Sequence, residues 1–444
     1  MASNLTEGSL KRAMLRFSIP FLIASFLQSF YGLTDLFIAG QFNGPATISA
    51  VSSGSQMMHM LTVVIIGLAT GTTVTVSRAV GAGDRKRAGR SIGNSVVIFL
   101  IFALVLTVVL LACRDRIVKL IFTPPEAVTE TGEYLSVCFG GILFITAYNV
   151  IAGIYRGLGD TKSPMYFVAA AGIVNILGDY VLMGPLQMGA RGAAIATVGS
   201  QALSVLLALL WLKVHDPGIR VTAEDLRPDP KVTGELLQIG LPIAVQEGLI
   251  QISFVAITAI GNSRGVTISA AIGIVEKFIS FAFLVHSAML STVSAIAAQN
   301  AGSGQHGRAR QTLQYGLTVC LIYGGLVWLI CQFASEGIVS LFVKDQPQVT
   351  VLGGQYLRSY AFDCIFAGVH FCFSGFFSAY RRSVYSFLHN IISVLTVRIP
   401  GALLASVLFP ETLYPMGLAP ALGSLLSVLI CIYLYKKHPE HWMH

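Results

Sequence analysis

Three polar side chains that can hold a proton or bind a cation stand inside apolar stretches of the first half of the sequence. Asp35 lies in FYGLTDLFIAG, and Asn175 and Asp179 lie in NILGD. A charge at the centre of a membrane helix costs roughly 2.5–3.5 kcal/mol on insertion scales, so each acid needs compensation or a function. Asn175 and Asp179 are four residues apart and share one helix face, and Gln28 shares a face with Asp35.

If these faces converge, two carboxyl groups meet neutral hydrogen-bond donors in a medium of low dielectric constant. Desolvation and like-charge repulsion both disfavour a second ionised carboxylate, so one acid of the pair is expected to hold a proton at neutral pH. A transmembrane gradient can then load and unload that proton. The same oxygens also suit Na⁺, a hard cation. The sequence therefore predicts a cation-coupling site at Asp35, Asn175 and Asp179, which is a metal site only if the ion is sodium.

Each of these three residues, like Thr197 in AAIAT, has a purely structural interpretation as well. Asp179 lies near a span end, where it can cap a helix or pair with Arg191, and Asp35 can make a hydrogen bond to a neighbouring helix. Thr197 can bond back to its own helix backbone. Asn175 can join two helices by a hydrogen bond within the membrane.

The second half of the sequence carries its own buried acids. Glu247 and Gln251 share one helix face, where a glutamate would attract a cationic substrate, and Glu276 stands beside Lys277 in the middle of an apolar run. We expect Glu276 and Lys277 to be ion-paired across helices, one of them with Asp363, or else to take part in coupling. The predicted substrate-binding residues are Gln28, Tyr31, Glu247, Gln251, Glu276 and Asp363.

The composition identifies the elements that must position these residues. Of 444 residues, 54% are hydrophobic and 11% are charged, far from the roughly 25% charged residues of soluble chains. A membrane helix needs about 20 apolar residues. Twelve spans are predicted, at 14–40, 46–77, 91–113, 127–157, 163–185, 191–213, 235–261, 267–297, 311–334, 349–379, 384–408 and 414–435.

The basic residues predict the orientation of these spans. The net charge is +8, but the lysines and arginines form short clusters between apolar runs, which argues against nucleic-acid binding. The clusters fall mainly on the side of the N-terminus, beginning with Lys11 and Arg12 and continuing with the basic loop at 85–90. Both termini are therefore expected in the cytoplasm.

A duplication divides the chain. VGAGDRKRAG at 80–89 recurs as AGSGQHGRAR at 301–310, a shift of 221 residues, and its glycines predict a tight turn in each repeat. Pro20 and Tyr134-Leu135 recur at Pro242 and Tyr356-Leu357, a shift of 222 residues. The fold class is therefore an all-α integral membrane protein with twelve transmembrane helices in two parallel-repeat lobes of six. The predicted domains are an N-terminal lobe (1–213), a cytoplasmic linker (214–234) whose three prolines predict a surface segment, and a C-terminal lobe (235–444).

These motifs carry a family likeness over essentially the whole chain. The sequence resembles the multidrug and toxic compound extrusion (MATE) transporters in the order, spacing and doubling of its motifs. The matching segments are TDLFIAGQFNGPATISAVS (34–52), VGAGDRKRAGR (80–90), GIYRGLGDTKSPM (153–165), VNILGDYVL (174–182), ARGAAIATVGSQ (190–201), GLPIAVQ (240–246) and AAQNAGSGQHGRAR (297–310).

The resemblance implies a non-enzymatic antiporter that exports organic, often cationic, compounds in exchange for H⁺ or Na⁺. It assigns coupling to Asp35, Asn175, Asp179 and Thr197, whereas Glu247 and Asp363 match the family's second-lobe acids less closely. It implies a monomer in a bacterial-type plasma membrane, with small-molecule substrates, the lipid bilayer as its surroundings and no cofactor beyond the coupling ion. The alternatives are a flippase for lipid-linked oligosaccharides, which needs a basic cavity, and an intramembrane transferase, which needs a catalytic cluster near one interface.

Overall fold

The computed structural model describes residues 5–121, 123–215, 218–343 and 346–442, and all regular elements within these ranges are helices. The α-helices are α1 (Leu10–Phe42), α2 (Pro45–Gly81), α3 (Arg85–Leu120), α4 (Val128–Gly140), α5 (Ile142–Gly157), α6 (Lys162–Met183), α7 (Gly189–Val214), α8 (Pro230–Asn262), α9 (Val266–Gly302), α10 (His306–Ser340), α11 (Pro347–Tyr360), α12 (Asp363–Ala379), α13 (Ser383–Ser393), α14 (Ile399–Leu408) and α15 (Tyr414–Lys437). The all-α prediction is confirmed.

Ten helical segments of the described chain are long and apolar enough to cross a membrane, with α13 and α14 counted as one segment. Two bent pairs of helices bring the number to twelve. The segment Pro125–Gly140, which contains α4, meets α5 at an angle of 48°, and α11 meets α12 at an angle of 40°. At the first bend, a Cβ on Gly141 would overlap the side chain of Val198, so only glycine lets α7 approach there. The predicted spans 127–157 and 349–379 are therefore broken helices, and the twelve-span fold is confirmed.

The two sequence repeats form corresponding helices. α1 and α8 each have 33 residues, α2 and α9 each have 37, and the turns after α2 and α9 have the same backbone shape. Gly83 and Gly304, at equivalent positions, have φ values of +70° and +75°, in the region that favours glycine. These two glycines make the tight turns that the repeated motif predicts.

The chain forms two compact units whose borders cross the sequence repeats. The first unit contains Ile19–Leu237, and the second contains Leu5–Ser18 together with the residues from Gln238 onward. The first turns of α1 therefore belong to the second unit, and the first turns of α8 belong to the first.

Two equivalent arginines hold these crossing segments. In the first unit, Nη2 of Arg87 donates to both carboxylate oxygens of Glu235 in α8, each at 2.9 Å. In the second unit, Arg308 donates to the backbone carbonyls of Gly8 (2.9 Å) and Glu7 (3.0 Å), just before α1. The duplication has conserved an arginine that binds the start of a first helix.

The connection between α7 and α8 is packed against α3. Asn94 donates to the backbone carbonyl of Asp225 (3.2 Å), and its amide oxygen accepts from the backbone N–H of Asp229 (2.7 Å). The Asp225 carboxylate accepts hydrogen bonds from the backbone N–H and hydroxyl of Thr222, which hold the pKa of that carboxyl below its usual range. Because folding lowers the pKa of Asp225, its hydrogen bonds add to the free energy of unfolding above the ordinary aspartate pKa of about 4. This stabilisation is lost as the pH falls from there through the lowered pKa.

Gly93→Ala is expected to release this connection while leaving α3 helical. A Cβ on Gly93 would overlap the backbone carbonyl of Asp225, whereas alanine itself favours a helix by about 1 kcal/mol over glycine. Limited trypsin digestion should then cleave after Arg220 several-fold faster than in the wild type. Gly199→Ala, where a Cβ meets no atom within 4 Å, is the control. Equal cleavage of Gly93→Ala and the control would contradict the packed arrangement.

Candidate functional site

The first unit contains a buried pair of acids. Asp35 of α1 is 5% exposed, Asp179 of α6 is fully buried, and their carboxyl groups lie close enough to interact. Within the described residues, neither carboxyl group forms an ion pair with a lysine or arginine, and Oδ1 of Asp35 and both oxygens of Asp179 have no hydrogen-bond partner. Because two neighbouring carboxylates repel each other in a medium of low dielectric constant, one of the two is expected to hold a proton.

More buried polar atoms accompany this pair. Asn175 is 3% exposed and its Nδ2 has no hydrogen-bond partner among the described residues, nor have the hydroxyl of Thr197 and the Oε1 of Gln201. Thr197 therefore does not bond back to its own helix. Asp179 does not pair with Arg191, which is exposed. The structural alternatives for these two residues are not observed.

Small residues set the separation of the helices that carry these groups. A Cβ on Gly178 would lie 3.1 Å from the Cβ of Ala196, so α6 and α7 approach closely beside Asp179. A Cβ on Gly172 would overlap the ring of Tyr31, whose hydroxyl donates to the carbonyl of Val168 at 2.7 Å. Tyr31 thus fastens α1 to α6.

Gln28 lies on the same helix, half-buried and two turns before Asp35. Of the predicted coupling residues, Asp35 and Asp179 are the two that interact with each other.

Tyr134 of α4 joins the acid pair, and sequence reasoning did not select it. It is 1% exposed, lies within electrostatic range of Asp35 and Asp179, and is a hydrogen-bonding neighbour of Cys138. The signal was present in the repeat, because Tyr134-Leu135 recurs as Tyr356-Leu357. Each unit therefore places this tyrosine beside its buried acids, since Tyr356 interacts electrostatically with Glu276 and Asp363.

The second unit contains a buried ion pair that differs from the predicted one. Asp363 pairs with Arg398 at 3.4 Å, and Arg398 also donates to the hydroxyl of Tyr360 at 2.9 Å. The expected pairing of Asp363 with Glu276 or Lys277 was wrong about the partner. Glu276 and Lys277 are consecutive in α9 and point in different directions, and Lys277 is exposed.

Glu276 is held separately. Its Oε2 accepts from the hydroxyl of Thr258 at 2.7 Å, and its Oε1 has no partner among the described residues. Thr258 follows Ile257, the residue opposite Asp35 in the 222-residue shift. The second unit therefore has acids from α9 and α12 where the first has acids from α1 and α6.

A π-helical turn positions Arg398. The turn spans Val394–Arg398 and joins α13 to α14, and wide turns of this kind are frequent at functional sites. The 222-residue shift pairs Asp179 with Gly401, and Arg398 lies three residues before that position. The second unit thus has a base about one helical turn from the position equivalent to the first unit's acid.

A line of buried polar groups continues from Asp363. Its carboxyl is a hydrogen-bonding neighbour of Ser424, whose hydroxyl lies 3.4 Å from Nε2 of His370. The rings of His370 and His389 are 5.3 Å apart, and Nε2 of His389 lies 3.0 Å from the hydroxyl of Ser374. The ion pair is therefore one end of a polar network that ties α12, α13 and α15 together.

Glu247 and Gln251 stand apart from this network. Both are half-buried on α8, and the structure shows no hydrogen bond from either to Asp363 or Arg398. The fully buried polar residue there is Gln246, whose amide atoms lack partners within the described chain.

A family profile and two related proteins match nearly the whole of this chain or both of its repeats. The MatE family profile matches residues 20–181 and again 242–404, one match in each repeat. The chain is 26% identical over 440 residues to the probable multidrug resistance protein YpnP of Bacillus subtilis, covering 98% of this chain and 97% of that one. It is 25% identical over 448 residues to the FAD transporter of Shewanella oneidensis, covering 98% and 96%.

A solved structure also matches this chain. The crystal structure of a MATE in complex with MaL6 superposes with a TM-score of 0.91, covering 99% of this chain and 98% of that one. The sequence identity is 21%, so this likeness bears on the fold alone.

Proposed function

Because the chain belongs to the multidrug and toxic compound extrusion (MATE) family, and so is a multi-pass membrane transporter and not an enzyme, we propose that it exports organic compounds by antiport. The substrates are cationic or amphipathic, the counter-ion is H⁺ or Na⁺, and coupling runs through Asp35 and Asp179. The observation that carries this proposal is the buried acid pair, which has no basic partner in the described part of the first unit.

The acid pair has the chemistry that antiport needs. A site open to an acidic exterior accepts a proton, and the same site open to the cytoplasm releases it. Alternating access between these two states couples the proton to the substrate. Each net charge moved inward is worth about 2.3 kcal/mol per 100 mV, which supports tens-fold accumulation of a neutral substrate per proton.

The proximity of the two carboxyl groups favours the proton as the coupling ion, since like-charge repulsion disfavours two ionised carboxylates at one site. Sodium would instead require oxygen ligands from Asp35, Asn175, Asp179 and Thr197. The ion-gradient experiment below separates the two.

Charge favours a cation as the substrate. Arg398 is neutralised by Asp363 and Lys277 is exposed, so the second unit offers, within the described residues, no buried lysine or arginine without an acid partner for a pyrophosphate. This argues against the flippase alternative. The FAD transporter among the relatives makes an anionic dinucleotide the appropriate competitor in a test.

The test is transport of ethidium into everted membrane vesicles under an imposed proton or sodium gradient. We expect ethidium accumulation with one gradient, none without a gradient, and no accumulation of FAD. Accumulation that needs neither gradient would refute antiport. Accumulation of FAD without ethidium would refute the cationic substrate class.

Glu247→Gln is expected to slow ethidium efflux several-fold while sparing a neutral substrate, because a half-buried carboxylate attracts cations electrostatically. Initial rates for both substrates are compared in the same vesicles. Glu336→Gln, which removes a half-exposed charge outside the site, is the matched control. Equal loss for cationic and neutral substrates would point to damaged folding and count against this role.

We also propose that the protein works as a monomer in a bacterial inner membrane, with both termini and the 214–234 connection in the cytoplasm. The clustered basic residues of the loops support this orientation. Green fluorescent protein fused after Lys437 should fluoresce, and alkaline phosphatase fused there should be inactive. Fusions between α6 and α7 should behave in the opposite way. The reverse pattern would contradict the orientation.

A further inference from the structure

Three side chains that bind metals well lie together directly after α15, away from the proposed transport residues. The metal-binding atoms of His438, Glu440 and His441 all lie within 4.8 Å of one another. Oε1 of Glu440 lies 3.1 Å from Nδ1 of His438 and 3.8 Å from Nε2 of His441. Two imidazole nitrogens and one carboxylate oxygen form a donor set that zinc and its neighbours in the first transition row accept.

The backbone that carries these ligands is already fixed. Pro439–Trp442 form a short 3₁₀ helix, and Trp442 is 1% exposed. The Trp442 ring stacks on Tyr435 at 5.8 Å and on Phe377 at 5.5 Å, and its Nε1 donates to the carbonyl of Tyr435 at 3.0 Å. The fold therefore orders this segment in advance, so metal binding does not carry the additional entropy cost of ordering it.

Neighbouring groups also orient the imidazoles. The hydroxyl of Tyr385 lies 3.4 Å from Nδ1 of His441, which leaves Nε2 of that ring facing Glu440. The rings of His438 and His441 stack 4.9 Å apart with an angle of 12° between their planes. Hydrogen bonding to the nitrogen away from the ion is how metal-binding histidines are usually held in orientation.

We propose that His438, Glu440 and His441 bind a divalent transition-metal ion of the zinc class, with one coordination position left for water. The bound ion cross-links the start and end of the 3₁₀ helix and so fixes this segment on α12, α13 and α15. The ion is a structural or regulatory ligand and takes no part in the coupling at Asp35 and Asp179.

The test uses the full-length protein in detergent, purified by a tag other than polyhistidine and treated with a chelator. Co²⁺ is titrated while its visible absorption bands are recorded, and Zn²⁺ is then added to displace it. We expect one saturable site. His438→Asn and His441→Asn should each weaken Co²⁺ binding by at least tenfold, and the double variant should abolish it.

His215→Asn is the matched control, because His215 is an exposed histidine of the first unit that stacks on Trp211. It should bind Co²⁺ within twofold of the wild type, and all variants should remain monodisperse on size exclusion. Wild-type Co²⁺ binding in the double variant would place the ion elsewhere and overturn the proposal. Absence of saturable binding by the wild type below about 100 µM would overturn it as well, leaving the three side chains as an ion pair.

Discussion

Asp35→Asn and Asp179→Asn are each expected to lower gradient-driven ethidium transport by at least about 100-fold, and the double variant is expected to be no worse than either one. We propose that the two neighbouring carboxyl groups act as one proton site, which either substitution destroys. Asparagine keeps the size of the side chain, so the fold should survive. Initial rates in vesicles, normalised to the amount of folded protein, measure the effect.

Asp115→Asn is the control for this experiment, because Asp115 is an exposed acid whose loss should leave the rate within twofold of wild type. A single shared site also predicts that the two losses do not multiply. Losses that multiply in the double variant would show that Asp35 and Asp179 act independently. Full coupled transport in either single variant would remove that acid from the coupling site.

Arg398→Met is expected to destabilise the protein by about 3–5 kcal/mol, because it leaves the Asp363 carboxylate buried without its ion-pair partner. Asp363→Leu should have an effect of similar size for the same reason. The double variant Arg398→Met/Asp363→Leu should recover most of the loss, since replacing a whole buried pair by apolar groups is often neutral. The free energy of unfolding in detergent is the quantity to compare.

Arg358→Met provides the comparison with a weaker pair. Arg358 lies 3.7 Å from Glu336, and both side chains are about half exposed, so its loss should cost less than about 1 kcal/mol. If Arg398→Met cost no more than this control, the buried pair would have no structural role. An additive double variant would equally contradict direct coupling between Arg398 and Asp363.

The sequence predicts the helices better than the contacts between them. Hydrophobic length alone finds the twelve spans, and the repeated glycine motif predicts the turns at Gly83 and Gly304 correctly. The bend at Gly141 escapes prediction because it depends on Val198, a residue of α7 that no local pattern connects to α4. The linker shows the same limit, since its prolines predict a surface segment but do not show that Asn94 holds it.

The candidate site divides in a similar way. Asp35 and Asp179 are recognisable because isolated acids in apolar runs are costly. The partner of Asp363 is not recognisable, because several spans carry a charge and only tertiary packing selects Arg398. Tyr134 carries no charge and has no motif of its own. Only its recurrence at Tyr356 separates it from ordinary core aromatics.

The first turns of α1 belong to the second unit and those of α8 to the first, and this limits the order in which the protein can fold during synthesis. Residues 5–18 leave the ribosome first, yet the unit to which they belong is complete only after α15 has been synthesised. The first unit in turn needs residues up to Leu237, which the ribosome reaches only after the 214–229 connection has emerged. Neither half can therefore finish folding from its own repeat alone. A chain cut near residue 225 would divide Glu235 from Arg87 and residues 5–18 from Arg308, so each fragment would emerge with its arginine unmatched.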